Sequence, residues 1–126
     1  MNHRMDLGSA VLIKDNHLAA LDGDVEVAVK RARALAPGKP VEVECESINQ
    51  VKAALLAGAE IIMLDNMNTA RLREAVALIE GRAVSEASGG VTLQSVRQIA
   101  ETGVDWISVG ALTHSVTALD LALDFE

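Results

Sequence analysis

The run VEVECESINQVKAALLAGAEIIMLD, Val41 to Asp65, decides the fold. Its first six residues, Val41–Glu46, form a strand-length segment with valine at alternate positions. Ser47 comes next, with Gln50 three residues on, the pattern of a capping box at a helix start. Ile48, Val51 and Leu55 then recur at helical spacing, and Gly58 ends the helix. Glu60–Asp65 closes the run as a second buried strand. Strand, helix and strand in so short a span make a βα unit, and such units build parallel sheets.

The alternation continues on both sides. Downstream, Arg82–Ser88 and Asp105–Gly110 read as strands; upstream, Val11–Asp15 reads as a shorter one. A helix over Val25–Leu35 places Val25, Ala28, Val29, Ala32 and Leu35 on one face, with Pro37 and Gly38 stopping it. A third carries Leu72, Ala75, Val76 and Ile79 and closes at Gly81. A fourth starts at Thr92, carries Leu93, Val96 and Ala100, and stops at Gly103. Val116–Leu123 forms a last amphipathic helix. Right-handed crossovers would put these helices on one side of a curling sheet. Five strands are too few to close an eight-stranded barrel. The expected fold class is therefore α/β, a partial (β/α) barrel of about five parallel strands alternating with helices over residues 1–126. Because Met1-Asn2-His3-Arg4 runs almost directly into a strand, earlier barrel strands are expected to be missing.

Composition narrows the function. Half of the 126 residues are apolar, yet only Trp106 and Phe125 are aromatic, so the core must be aliphatic. Eleven basic against 18 acidic residues give a net charge of -7. That field disfavours nucleic acid and anionic membrane surfaces. A single cysteine, Cys45, excludes an internal disulfide framework. Neither a secretory leader nor an apolar run near the length of a membrane span is visible, so a cytoplasmic setting is expected.

Ligands of βα folds bind at the C-terminal ends of the strands. The residues falling there are Lys14-Asp15-Asn16-His17, then Glu44 and Glu46, then Asp65-Asn66, then Glu86-Ala87-Ser88-Gly89-Gly90, then Gly110-Ala111. Strand alternation puts Val41, Val43 and Cys45 on one face and Glu42, Glu44 and Glu46 on the other. A central parallel strand is usually apolar on both faces. Three carboxylates in a row therefore fit either an edge strand with a solvated face or a charged barrel interior, where a carboxylate can bind hydroxyls or a hydrated divalent cation. Ser88-Gly89-Gly90 before a helix start at Thr92 suits phosphate, because glycine lets backbone amides approach an anion. Gly110-Ala111 offers a second set of amides one strand later. His3, Arg4 and Lys14 are the basic residues near these ends. His17 and His114 read as loop histidines, Trp106, Met63 and Met67 as packing residues, and Cys45 as a small core residue. No set of residues has the spacing of a zinc site.

Together these segments resemble the quinolinate phosphoribosyltransferase family. The resemblance rests on Asn2-His3-Arg4-Met5-Asp6-Leu7, Leu12–His17, Val43-Glu44, Leu64-Asp65-Asn66, Glu86–Gly90 and Val109–Ser115, in order along essentially the whole chain. It implies phosphoribosyl transfer from phosphoribosyl pyrophosphate to quinolinate with decarboxylation, giving nicotinate mononucleotide for NAD synthesis, with Mg2+ required. It implies catalytic roles for Lys14, Glu44 and Asp65. It also implies contacts from His3, Arg4 and Lys14 to the quinolinate carboxylates and nearby phosphate, from Glu44 and Asp65 to ribose hydroxyls directly or through hydrated Mg2+, and from Ser88, Gly89 and Gly110 to the 5′-phosphate. Family members are homo-oligomers that also carry an N-terminal domain and further basic site residues. Their absence here leads us to expect an inactive isolated chain that self-associates. Ser85 departs from the family, which favours an apolar residue there. A molybdenum-transport-associated relative of the same fold and a non-catalytic, self-associating half-barrel are the competing readings.

Overall fold

The computed structural model describes residues 10–14 and 24–109, together with the backbone of 112–115. The last amphipathic segment, Val116–Leu123, lies outside the described residues. Six strands form one sheet in chain order: β1 (Val11–Ile13), β2 (Val41–Cys45), β3 (Ile61–Asp65), β4 (Val84–Ser88), β5 (Trp106–Val109) and β6 (Leu112–Ser115). The first five pair in parallel, each with its predecessor. The sixth was not expected from the sequence. Leu112–Ser115 read as the loop following the fifth strand, but the chain turns back there and pairs antiparallel, Val109 with Leu112 and Trp106 with Ser115.

Between the parallel strands run α1 (Val25–Leu35), α2 (Ile48–Ala57), α3 (Thr69–Ile79) and α4 (Val96–Ala100). Three of them start on a side-chain cap. Asp24 accepts from the Val27 amide, Ser47 from Gln50 and Asn68 from Arg71, each satisfying a first-turn N–H that has no helical partner. Gly58 ends α2 in the left-handed region at φ 82°. The end of α3 departs slightly from expectation: Glu80 already adopts φ 52° and Gly81 follows at 76°.

The fourth helix is shorter than its pattern suggested. It starts at Val96, not Thr92. The hydroxyls of Thr92 and Ser95 bind each other's backbone amides and close a turn over 92–95, competing with helical pairing. Leu93 is consequently exposed instead of facing the core, and Leu35, the last residue of α1, is exposed as well.

The strand starts were also overextended, and for one reason. Glu60, Arg82 and Asp105 precede their strands and use their side chains to tie neighbouring elements. The Glu60 carboxylate accepts from the Val41 amide at 2.8 Å and pairs with Arg33 at 3.1 Å. Asp105 accepts from the Ser85 amide at 2.9 Å and from its hydroxyl at 3.2 Å. Arg82 donates to the Leu78 and Ile79 carbonyls at the end of α3. Ser85, the departure from the family pattern, is thereby satisfied inside the core.

The core lies between sheet and helices. Val41, Val43, Cys45, Ile62 and Leu64 are fully buried against Val29, Val51, Ala54, Leu72 and Ala75 from α1 to α3. Burying each large aliphatic side chain contributes about 1.5–3 kcal/mol. Register puts the opposite set on the other face: Leu12, Glu42, Glu44, Ile61, Met63, Asp65, Glu86, Ser88, Trp106 and Ser108. Met63 and Trp106 belong to this inner face, not to the helix-packed core, and both are half-buried. Among the described residues no helix is long and apolar enough to cross a membrane.

Candidate active site at the strand ends

Of the expected site residues, His3, Arg4 and Gly110 lie outside the described residues. The other five fall at the C-terminal strand ends. Lys14 follows β1 and is exposed; since Ile13 is paired with Val43, Lys14 comes level with Glu44. Glu44 lies one residue before the end of β2 on the inner face. Asp65 and Ser88 are directly paired at the ends of β3 and β4.

The tightest approach involves Gly89. It follows Ser88 at φ 83°, and a β-carbon there would stand 2.6 Å from Asp65 Oδ1 and 2.7 Å from Asn66 Oδ1. Only a residue without a side chain fits, so backbone and carboxylate share one narrow space. Asn66, itself at φ 55°, donates its amide to the Ser88 carbonyl at 3.0 Å and holds the β3 loop against the β4 loop. Asparagine tolerates this left-handed conformation better than most residues. Asn66 has no role assigned from the sequence alone; its place directly after a strand is the available signal.

The helix contribution expected at this loop is not there. With α4 starting at Val96, the turn at 92–95 uses its own hydroxyls on the nearby amides. Any anion held at this point would meet the loop backbone at 88–90, not a helix N-terminus.

The acidic face of β2 resolves in favour of an inner face rather than a solvated edge. β2 is flanked by β1 and β3, Glu42 is only 5% exposed, and Glu44 is partly buried. Glu46 lies past the strand end and is exposed; its amide donates to Gln50 Oε1, completing the cap of α2. Glu86 on β4, named among the strand-end residues, had no role assigned to it. It is 1% exposed, accepts a hydrogen bond from Ser108 Oγ, and meets the Glu42 carboxyl. The signal was there in principle, since Glu42 and Glu86 are acids in the interior of their strands.

Burial first, then the hydrogen bond with Glu86 and the charges of Glu86 and Glu44, push the Glu42 carboxyl up to about 9. Among the described residues no donor reaches Glu42 Oε2, so a proton on the pair supplies the missing link. The Cys45 thiol is pushed up to about 12 by burial and by Glu44, which fits a core residue and not a nucleophile.

A parallel βα sheet with acids and a glycine loop at its C-terminal strand ends defines a class of βα proteins, whose ligands bind at that edge. The chain belongs to a particular family within it: the family model described as quinolinate phosphoribosyl transferase, C-terminal domain, matches residues 1–124. The nicotinate-nucleotide pyrophosphorylase (carboxylating) of Mycobacterium leprae is 46% identical over 127 residues, covering 98% of this chain and 44% of that protein. The rat protein of the same name is 44% identical, covering 96% and 42%. Among solved structures, the nicotinate-nucleotide pyrophosphorylase from Francisella tularensis superposes with a TM-score of 0.77 at 40% identity, covering 92% of this chain and 41% of that one. A thiamine phosphate pyrophosphorylase from Pyrococcus furiosus, at 22% identity and a TM-score of 0.59, shares the fold. The chain thus spans less than half the length of the curated relatives it matches.

The raised Glu42 pKa carries a stability consequence. The folded chain keeps this proton to about pH 9, whereas the carboxyl releases it near 4.5 when unfolded. The contribution is whole below pH 4.5, declines as pH rises, and is lost above about 9. The slope is at most about 1.4 kcal/mol per pH unit. Denaturant unfolding across this window should show the decline in the natural chain and a flatter profile in Glu42→Gln; matching profiles would contradict it.

Proposed function

We propose that this chain forms part of a phosphoribosyltransferase that joins quinolinate to phosphoribosyl pyrophosphate, releasing pyrophosphate and carbon dioxide and leaving nicotinate mononucleotide. The observation that carries the reading is the convergence of Asp65, Ser88 and Gly89, a carboxylate and an exposed glycine backbone within one narrow space. Asp65 and Glu44 accept hydrogen bonds from the ribose hydroxyls, and the backbone of 88–90 seats the 5′-phosphate. Lys14, level with Glu44, brings positive charge to the substrate carboxylates and phosphates, joined by His3 and Arg4. The pyridine nitrogen attacks C1′ as the bond to pyrophosphate breaks, so no protein nucleophile is required. Fixed charges around the developing cationic ribosyl centre and the departing anion lower the barrier.

Mg2+ fits this donor set only in hydrated form. Among the described residues no group of three or more His, Cys, Asp or Glu is arranged to hold a metal. Glu44 and Asp65 would hold the ion through water, consistent with its reluctance to shed its shell. When bound, it neutralises charge on the pyrophosphate. A cytoplasmic setting suits a single thiol, Cys45, buried and free.

Nicotinate mononucleotide titrated calorimetrically into the 126-residue chain should bind. Asp65→Asn should weaken binding about tenfold, the effect of one charge-assisted hydrogen bond. Gly89→Ala should abolish it, because the new methyl displaces Asp65. Equal affinity in all three proteins would overturn the reading.

We infer further that the chain alone does not turn over. Among the described residues the sheet is an open row of six strands, so the rim is not enclosed by strands on all sides. Quinolinate turnover within a factor of ten of an intact relative would refute this (about 1.4 kcal/mol in barrier). The same openness leads us to propose a homo-oligomer, since β1 and β6 stand at the sheet edges among the described residues. Light scattering should give a mass of at least two chains; a monomer at high concentration would count against it.

A further inference from the structure

Three polar side chains on the inner face have no part in the proposed reaction. Glu42, Glu86 and Ser108 sit on β2, β4 and β5. Glu42 and Glu86 are two residues ahead of Glu44 and Ser88. Residues two apart on a strand share a face, so each of these acids lies one step below a rim residue of its own strand, and Ser108 comes level with Ser88. Ser108 Oγ donates to Glu86 Oε2 and joins β5 to β4. The Glu86 carboxyl meets that of Glu42 and joins β4 to β2 across β3, whose inner residues at this depth, Ile61 and Met63, are apolar.

A purely structural role does not account for this arrangement. Glu42 and Glu86 are 5% and 1% exposed. Burying two acids costs more than filling the same space with aliphatic side chains, which are often neutral or stabilising replacements. What the acids provide instead is direction. A hydrogen bond fixes distance and angle where an apolar contact tolerates sliding. The rim groups fall into two halves, Glu44 for the sugar and the loop after Ser88 for the phosphate.

We propose that Glu42, Glu86 and Ser108 form a hydrogen-bonded brace that sets the spacing between the sugar-binding carboxylates and the phosphate-binding loop at 88–90, and so selects a phosphorylated ribonucleotide over its unphosphorylated nucleoside. They act as positioning residues, through the carboxylates and the loop that they hold. The inference rests on the reading of the rim given above.

Ser108→Ala removes the donor by deleting one atom, and Ser108→Thr restores it. Nicotinate mononucleotide and nicotinate riboside are titrated into the 126-residue chain and both variants. Amide resonances of Gly89 and Gly90 are followed without ligand. Ser108→Ala should lose about tenfold in affinity for the mononucleotide, keep its affinity for the riboside, and shift the two glycine resonances. Ser108→Thr should reverse both changes. Equal losses for both ligands, an unchanged mononucleotide affinity, or unmoved glycine resonances would overturn the brace. If the natural chain binds neither ligand, the proposed function fails on its own, and the ligand-free resonances alone decide whether the brace exists.

Discussion

Strand phase is the constraint on which everything else depends. In β2 the residues Val41, Val43 and Cys45 face the helices and are fully buried, which forces Glu42 and Glu44 to the inner face. Parallel register then carries this phase across the sheet, putting Asp65, Glu86 and Ser88 on the same side. A shift of one residue in any pairing would bring acids into the aliphatic layer and valines to the rim. Burial of the aliphatic set, at about 25 cal/mol per Å², is what holds the phase. The functional face is a consequence of how the other face packs.

Most of this was legible in the sequence because both periodicities are clean. The bounds of α1 were read correctly, as were the Ser47 cap and the Gly58 stop of α2, since caps and breakers are local chemistry. Failures came where side chains outbid local pattern. Thr92 and Ser95 delayed α4 by hydrogen-bonding their own turn. Glu60 and Asp105 read as strand residues but serve as ties between strand starts. The reversal into β6 was missed because nothing in Leu112–Ser115 distinguishes an antiparallel return from a loop.

The candidate site divides along the same line. Glu44, Asp65, Ser88 and Gly89 could be placed at one edge from strand ends alone, and they are there. The close contact of Gly89 with Asp65, and the left-handed Asn66 that holds the two loops together, required coordinates. Glu86 was named at the end of its strand but given no role, because sequence reading attends to the last residue of a strand, whereas this acid lies two positions deeper. Its significance depends on a partner two strands away, and separation across a sheet is invisible in a linear pattern.

The ties at the opposite rim have a bearing on how such a chain changes over time. Glu60 fastens the start of β2, and Asp105 fastens β4 near its start, far from the ligand-facing loops. Alignment of the strands is thereby anchored from below. Loops at the upper end are left free to vary in length and chemistry without unsettling the frame. A scaffold secured at one end and open to experiment at the other is well suited to acquiring new substrates by small steps.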